Sequence, residues 1–132
     1  MSQENVDALR AVYDEWEKGD FRAGGDLLDP DVLFMPRTDL PDAGRYLGPE
    51  GMAEFMRGWL KAWTDFSVAA QEFMEAENSV VVAVRMEGIG PESRTPTGLH
   101  FFDVWTFRGR AVVRRQQYRD RADALEAVGL SE

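Results

Sequence analysis

Residues 98–119 read GLHFFDVWTFRGRAVVRRQQYR: two runs rich in β-branched and aromatic side chains, joined at Arg108-Gly109. The runs Gly98 to Phe107 and Arg110 to Arg119 predict two antiparallel strands, and an Arg-Gly step between them predicts a tight hairpin. Upstream, Phe66 to Ala76 and Ser79 to Gly88 have the same character and are separated by Glu77-Asn78. A Gly- and Pro-containing loop from Gly88 to Pro96 joins the second pair, so the four segments predict an antiparallel meander.

Before the meander the period is helical. Val6, Leu9, Val12, Tyr13 and Trp16 recur on one face, and Gly19 stands where a C-cap belongs. Asp20 to Pro30 predicts a second, shorter helix with Phe21, Leu27 and Leu28, weakened by Gly24-Gly25. Val32 to Pro36 reads as a short strand, and Arg37 to Gly48 as a loop. Pro49 then opens a helix with a wide apolar stripe of Met52, Phe55, Met56, Trp59, Leu60 and Trp63. Asp120 can cap a last helix, Arg121 to Val128, ended by Gly129. Helices followed by a meander predict an α+β domain, with helices packed on one face of a twisted sheet and a pocket between the layers.

Composition sets the limits. The chain has 132 residues, 44% of them hydrophobic, enough for one core, and residues 1–132 are expected to form a single domain. A net charge of -9 opposes binding to phosphate backbones, so nucleic acid is not an expected partner. No apolar run approaches the roughly 18 residues of a membrane span, and the first residues carry acids rather than a leader's basic start. The chain holds no cysteine, which suits a reducing cytoplasm. With one histidine, His100, and no cysteine, no His-rich or thiolate metal site is expected. No phosphate-binding glycine loop or nucleophile elbow occurs either, so no cofactor is implied. Acids and arginines with almost no lysine suggest a bacterial source.

Asp103 lies among Phe101, Phe102, Val104 and Trp105. A carboxyl in such a setting suits a general acid or base; it equally suits a structural acid paired to an arginine or a tryptophan N–H. Arg85 and Glu87 share one strand face, either toward the pocket beside Asp103 or outward as a simple ion pair. His100 alternates away from Asp103 and is expected on the opposite face.

The order of elements, together with Leu27-Leu28-Asp29-Pro30-Asp31-Val32, Gly48-Pro49-Glu50-Gly51, Phe102-Asp103-Val104-Trp105-Thr106-Phe107, Tyr118-Arg119-Asp120 and Ala124 to Leu130, resembles the SnoaL-like branch of the nuclear transport factor 2-like superfamily. The resemblance covers nearly the whole chain. It implies a curved sheet wrapped around the N-terminal helices as a cone, and a homodimer formed through the sheets' outer faces. It does not imply one reaction, because this superfamily carries several chemistries and non-catalytic binding in the same cone.

Against ketosteroid isomerase, the oxyanion aspartate matches Asp103, but the base falls on Met35 and the tyrosine on Val12. Tyr13 is one residue away, a helical rotation of about 100°. Against limonene-epoxide hydrolase, the Arg-x-Asp motif resembles Arg85-Met86-Glu87, and the second acid falls on Gln116, which cannot transfer a proton at useful pH. SnoaL itself, a polyketide cyclase, uses a late-strand acid for which Asp103 is the candidate. The family register places Arg114, Gln116 and Tyr118 on the pocket face. Two readings follow. One is a cofactor-independent isomerase, cyclase or hydrolase acting on a small, mostly apolar, oxygenated molecule, with Asp103, Glu87 and Arg85 catalytic. Its ligand would meet Tyr13, Met35, Phe55, Trp59, Trp63, Phe101, Trp105, Arg114, Gln116 and Tyr118. The other is a non-catalytic binding or dimerisation module on the same cone.

Overall fold

The computed structural model describes residues 3–38, 44–91 and 94–131. The elements are α1 (Gln3–Glu17), a 3₁₀ turn (Gly25–Leu27), β1 (Leu28–Met35), β2 (Tyr46–Leu47), α2 (Gly48–Ala62), β3 (Thr64–Glu75), β4 (Ser79–Ile89), β5 (Pro96–Arg108), β6 (Ala111–Tyr118) and α3 (Arg121–Ala127). The expected α+β class and the expected meander are both present. The second helix is reduced to its last turn, as a Gly-Gly pair before a proline dictates. In its place the chain runs on as a longer β1. Parts of the two expected loops, residues 39–43 and 92–93, lie outside the described residues.

The six strands form one curved, unclosed sheet in the order β2-β1-β6-β5-β4-β3. Pairing is antiparallel except between β1 and β6, which run parallel because the meander returns beside a strand laid down before α2. Gly19, with φ of +96°, ends α1 as a left-handed residue, and its N–H donates to the Trp16 carbonyl at 2.9 Å.

The inner face of the sheet carries Val80, Val82, Val84 and Met86 of β4 and Phe101, Trp105 and Phe107 of β5, all buried in one cluster with the apolar stripe of α1 and with Phe55 and Trp59 of α2. Leu60 falls at the edge of its stripe and is exposed. The third helix departs from the expected arrangement. It covers the outer face, where Ala124 and Leu125 pack on Val81 and Val104, with Phe102 and Tyr118 beside them. Outward apolar residues at that end of β4 and β5 supply a second small core, so the helices lie on both faces. Asp120 precedes α3 but its side chain makes no cap hydrogen bond. No helix among the described residues is long and apolar enough to cross a membrane.

The β5–β6 hairpin contains the feature on which the site depends. Phe107 pairs with Val112, but Thr106 pairs with Arg114, so Val113 is an extra residue in β6. Such a bulge shifts everything beyond it by one position, and in a strand one position is a change of face. Without it Trp105 would face Arg114; with it Trp105 faces Arg115, and Asp103 faces Gln117.

Candidate functional site

Asp103 is 0% exposed and points to the inner face. Arg115 Nε donates to its Oδ1 at 3.0 Å and Arg115 Nη2 to its Oδ2 at 2.9 Å. From α1, the Tyr13 hydroxyl donates to Oδ2 at 2.5 Å and accepts from Trp105 Nε1 at 2.9 Å. Tyr13 thus reaches the carboxyl that its neighbour Val12 would have had to reach under the isomerase alignment. Its proton is held: burial raises its pKa well above the usual 10, the negative charge of Asp103 adds to this, and Arg115 opposes it.

Arg115 is also sandwiched by rings. Its guanidinium carbon lies 4.7 Å from the ring centres of Phe34 and Trp105 and 5.1 Å from that of Trp16. Two-point pairing to a carboxylate and stacking on aromatics are what a planar guanidinium can do and an ammonium cannot. Nη1 is left with no hydrogen-bond partner among the described residues, and the side chain borders open space on two sides.

The first of these spaces is a narrow slot inside the cone, with a cavity volume of only about 30 Å³. Its walls are largely aromatic and aliphatic: Phe55, Trp59, Phe66, Phe101, Met86 and their neighbours. Its polar lining comes from Tyr13, Arg37, Arg115 and Gln117, together with the Trp59 indole, whose Nε1 is buried without a hydrogen-bond partner. Gln117 Oε1 accepts from the Arg37 backbone N–H at 3.3 Å, and Arg37 Nη1 donates to the His100 carbonyl at 2.9 Å. Among the described lining residues there is no aspartate, glutamate or histidine. The second space is a broad open cleft between the Gly19–Leu28 segment and α2; Trp16, Phe21, Met56 and Arg115 form the partition it shares with the slot.

The structure therefore brings together some of the expected residues and separates others. Tyr13, Phe55, Trp59 and Phe101 line the slot, and Trp105 lines the cleft. Trp63 stacks on Trp59 with ring centres 5.2 Å apart and borders neither space. Asp103 sits behind Arg115 and Tyr13 and borders neither. Arg85 and Glu87 are on the outer face, where Arg85 Nε donates to Glu87 Oε1 at 2.7 Å and Arg85 Nη1 lies 2.7 Å from His100 Nε2. Their placement follows the sheet's alternation, since Val82 pairs with the inward Asp103 and odd-numbered β4 positions point away. Arg114, Gln116 and Tyr118 are outward too, displaced by the bulge at Val113; Arg114 Nη2 donates to Gln116 Oε1 at 2.7 Å. Met35 pairs with Gln116 on that same side, while Phe34 takes the inner position beside Arg115.

Arg115, Gln117 and Arg37 are the polar residues that sequence reasoning missed. No composition signal marks Val113 as a bulge, since it is one of two adjacent valines, both ordinary β-formers. The buried charge did carry a signal: a carboxylate among aromatics requires a cation, and β6 offers two adjacent arginines.

A model of the SnoaL-like domain family matches residues 9–115. No curated protein matches the chain. Among solved structures, an NTF2-like protein of unknown function from Burkholderia pseudomallei is similar at 22% identity and a TM-score of 0.76, over 97% of this chain and 98% of that one. TerC, crystallised with polyporic acid, is 24% identical with a TM-score of 0.73, over 95% and 98% of the two chains. A protein of ketosteroid isomerase-like fold from Catenulispora acidiphila, in complex with trimethylamine, is 18% identical with a TM-score of 0.71, over 98% and 95%. The fold is common to all three, and the family match spans most of the chain: this protein belongs to the SnoaL-like domain family.

Proposed function

We propose that the cone binds one small, mostly apolar molecule carrying an oxygen at its polar end, and that it works by binding rather than by proton transfer through Asp103. The observation that carries this reading is the engagement of Asp103: both carboxyl oxygens accept from Arg115, one also from Tyr13, and the group borders no open space. A general base must reach the proton it removes, and this one would first have to surrender a buried ion pair. Asp103 is then a positioning residue that fixes the Arg115 guanidinium so that Nη1 meets the ligand. Phe55, Trp59, Phe101 and Met86 supply the apolar contact, with one polar end to orient the molecule, the usual make-up of a small-molecule site. TerC, which shares this fold at 24% identity, was crystallised with a small molecule, polyporic acid, and this supports a small-molecule ligand here.

Crystals soaked with acetophenone test this. The expected density lies in the slot, widened by displacement of its Phe, Trp and Met walls, with the ketone oxygen on Arg115 Nη1 and Asp103 undisturbed. An oxygen bonded to Asp103, with Arg115 displaced, would restore the acid–base reading with Asp103 catalytic.

A cytoplasmic homodimer completes the proposal. It is supported by the family resemblance and by an outer sheet face that α3 covers at one end only. A strictly monomeric mass by light scattering at high concentration would exclude the dimer.

A further inference from the structure

The side-chain groups of the slot that have no hydrogen-bond partner among the described residues are donors. Trp59 Nε1 is a buried N–H without a partner, on a side chain only 6% exposed. Arg115 has spent Nε and Nη2 on Asp103 and retains Nη1. Gln117 has engaged its oxygen with the Arg37 N–H, which assigns its amide and leaves Nε2 as the remaining group. The Tyr13 hydroxyl is used in both directions, donating to Asp103 and accepting from Trp105. Among the described lining residues no carboxylate or imidazole is present to accept.

From this donor surplus we infer that the ligand's polar end is an acceptor-only oxygen centre, a ketone or quinone carbonyl or a carboxylate, and that the slot discriminates against alcohols and amines of the same shape. The inference rests on the binding reading above. A carbonyl oxygen can accept from Arg115 Nη1, and a ligand acceptor that reaches Trp59 Nε1 removes the cost of a buried orphan donor. A hydroxyl can accept as well, but its own O–H then finds only the second lone pairs of the already bonded Gln117 Oε1 and Tyr13 Oη, a poorer match than the unpartnered donors offer a carbonyl. An ammonium brings only donors and a positive charge to a lining that holds two arginines and, among its described residues, no carboxylate. Sites that match donors to acceptors in this way discriminate by the unpaired group that the wrong ligand leaves behind.

Acetophenone, 1-phenylethanol and 1-phenylethylammonium differ only at that polar end and are the probes. Each is titrated into the ¹⁵N-labelled protein, with the Trp59 indole N–H resonance identified by its loss in Trp59→Phe. Acetophenone is expected to shift that resonance saturably and to bind about tenfold more tightly than 1-phenylethanol, the factor expected for one buried unpaired hydroxyl. The ammonium is expected to shift none of the slot resonances. Trp59→Phe should weaken acetophenone severalfold while narrowing its advantage over the alcohol. Equal or tighter binding of 1-phenylethanol, or saturable binding of the ammonium in the slot, overturns the inference and leaves the binding reading standing. If none of the three shifts any slot resonance, the binding reading itself fails and the inference with it.

Discussion

Arg115 and Asp103 lie two residues off register on the same face of the β5–β6 ladder, joined at both carboxyl oxygens by bonds of 3.0 and 2.9 Å, with Asp103 wholly buried and Arg115 5% exposed. Arg115 pairs along the backbone with Trp105, and Asp103 with Gln117, so the ion pair is diagonal and ties two ladder rungs together. Tyr13 extends the same network to α1. One helix and two strands thus meet at a single carboxyl group.

Removing one partner of such a pair leaves the other charge buried alone. Asp103→Ala should lower stability by about 3–5 kcal/mol. The double variant Asp103→Leu with Arg115→Met, which replaces both charges by apolar groups, should recover most of that loss. Urea unfolding of the three proteins is the measurement. A single variant within about 1 kcal/mol of the parent would mean that Arg115 finds water when Asp103 is gone.

Tyr13 makes a prediction in alkali. Its pKa in the folded protein is raised above the unfolded value, chiefly by burial and then by Asp103. The unfolded chain therefore loses this proton first. The stabilisation is fully present below pH ~10 and is lost as pH rises from there toward the folded pKa. Stability of the parent should fall above pH ~10, and Tyr13→Phe should fall less steeply while starting lower by about 1–3 kcal/mol for the lost hydrogen bonds. Parallel profiles for the two proteins would remove Tyr13 as the cause.

Much of the architecture could be read from the chain because it rests on periodicity. The stripe of α1 is buried at each predicted position, Val6, Leu9, Val12, Tyr13 and Trp16; one meander turn falls at Glu77-Asn78, and the last at Gly109-Arg110, one residue later than expected. The site was less legible because strand alternation carries an error forward. An unbroken hairpin from Arg108-Gly109 puts Arg114, Gln116 and Tyr118 opposite the inward residues of β5; the extra residue at Val113 replaces them by Arg115 and Gln117. The inward direction of Asp103 was recoverable from its aromatic neighbours, whereas its partners were not. The short β2 pairs with β1 through two residues only, Tyr46 and Leu47, and leaves no period to detect.

Arg85 and Glu87 supply a control for the site. Both are half exposed on the outer face, and their bond at 2.7 Å is a surface pair of the kind worth at most about 1 kcal/mol. Arg85→Ala and Glu87→Ala are expected to leave stability within that range and acetophenone affinity unchanged. A tenfold loss of affinity in either variant would place the ligand on the other side of the sheet and would revive the Arg-x-acid motif as a functional one.

The bulge itself can be tested by deletion. Removing Val113 joins the Phe107–Val112 pair directly to the Thr106–Arg114 pair, so every residue beyond keeps its partner and its face. Removing Gln116 instead sends Gln117 outward and brings Tyr118 toward the slot, away from its packing beside Ala124 and Leu125. Both deletions take one residue from the same strand, so chain shortening cancels between them. Val113 deletion should cost about 1–2 kcal/mol and preserve the near-ultraviolet circular dichroism of the buried tryptophans, whereas Gln116 deletion should cost several kcal/mol and alter it. Equal urea midpoints for the two would mean that the face of each β6 residue is set by the packing of its side chains after pairing, and that the extra residue follows from the Arg115–Asp103 contact rather than creating it.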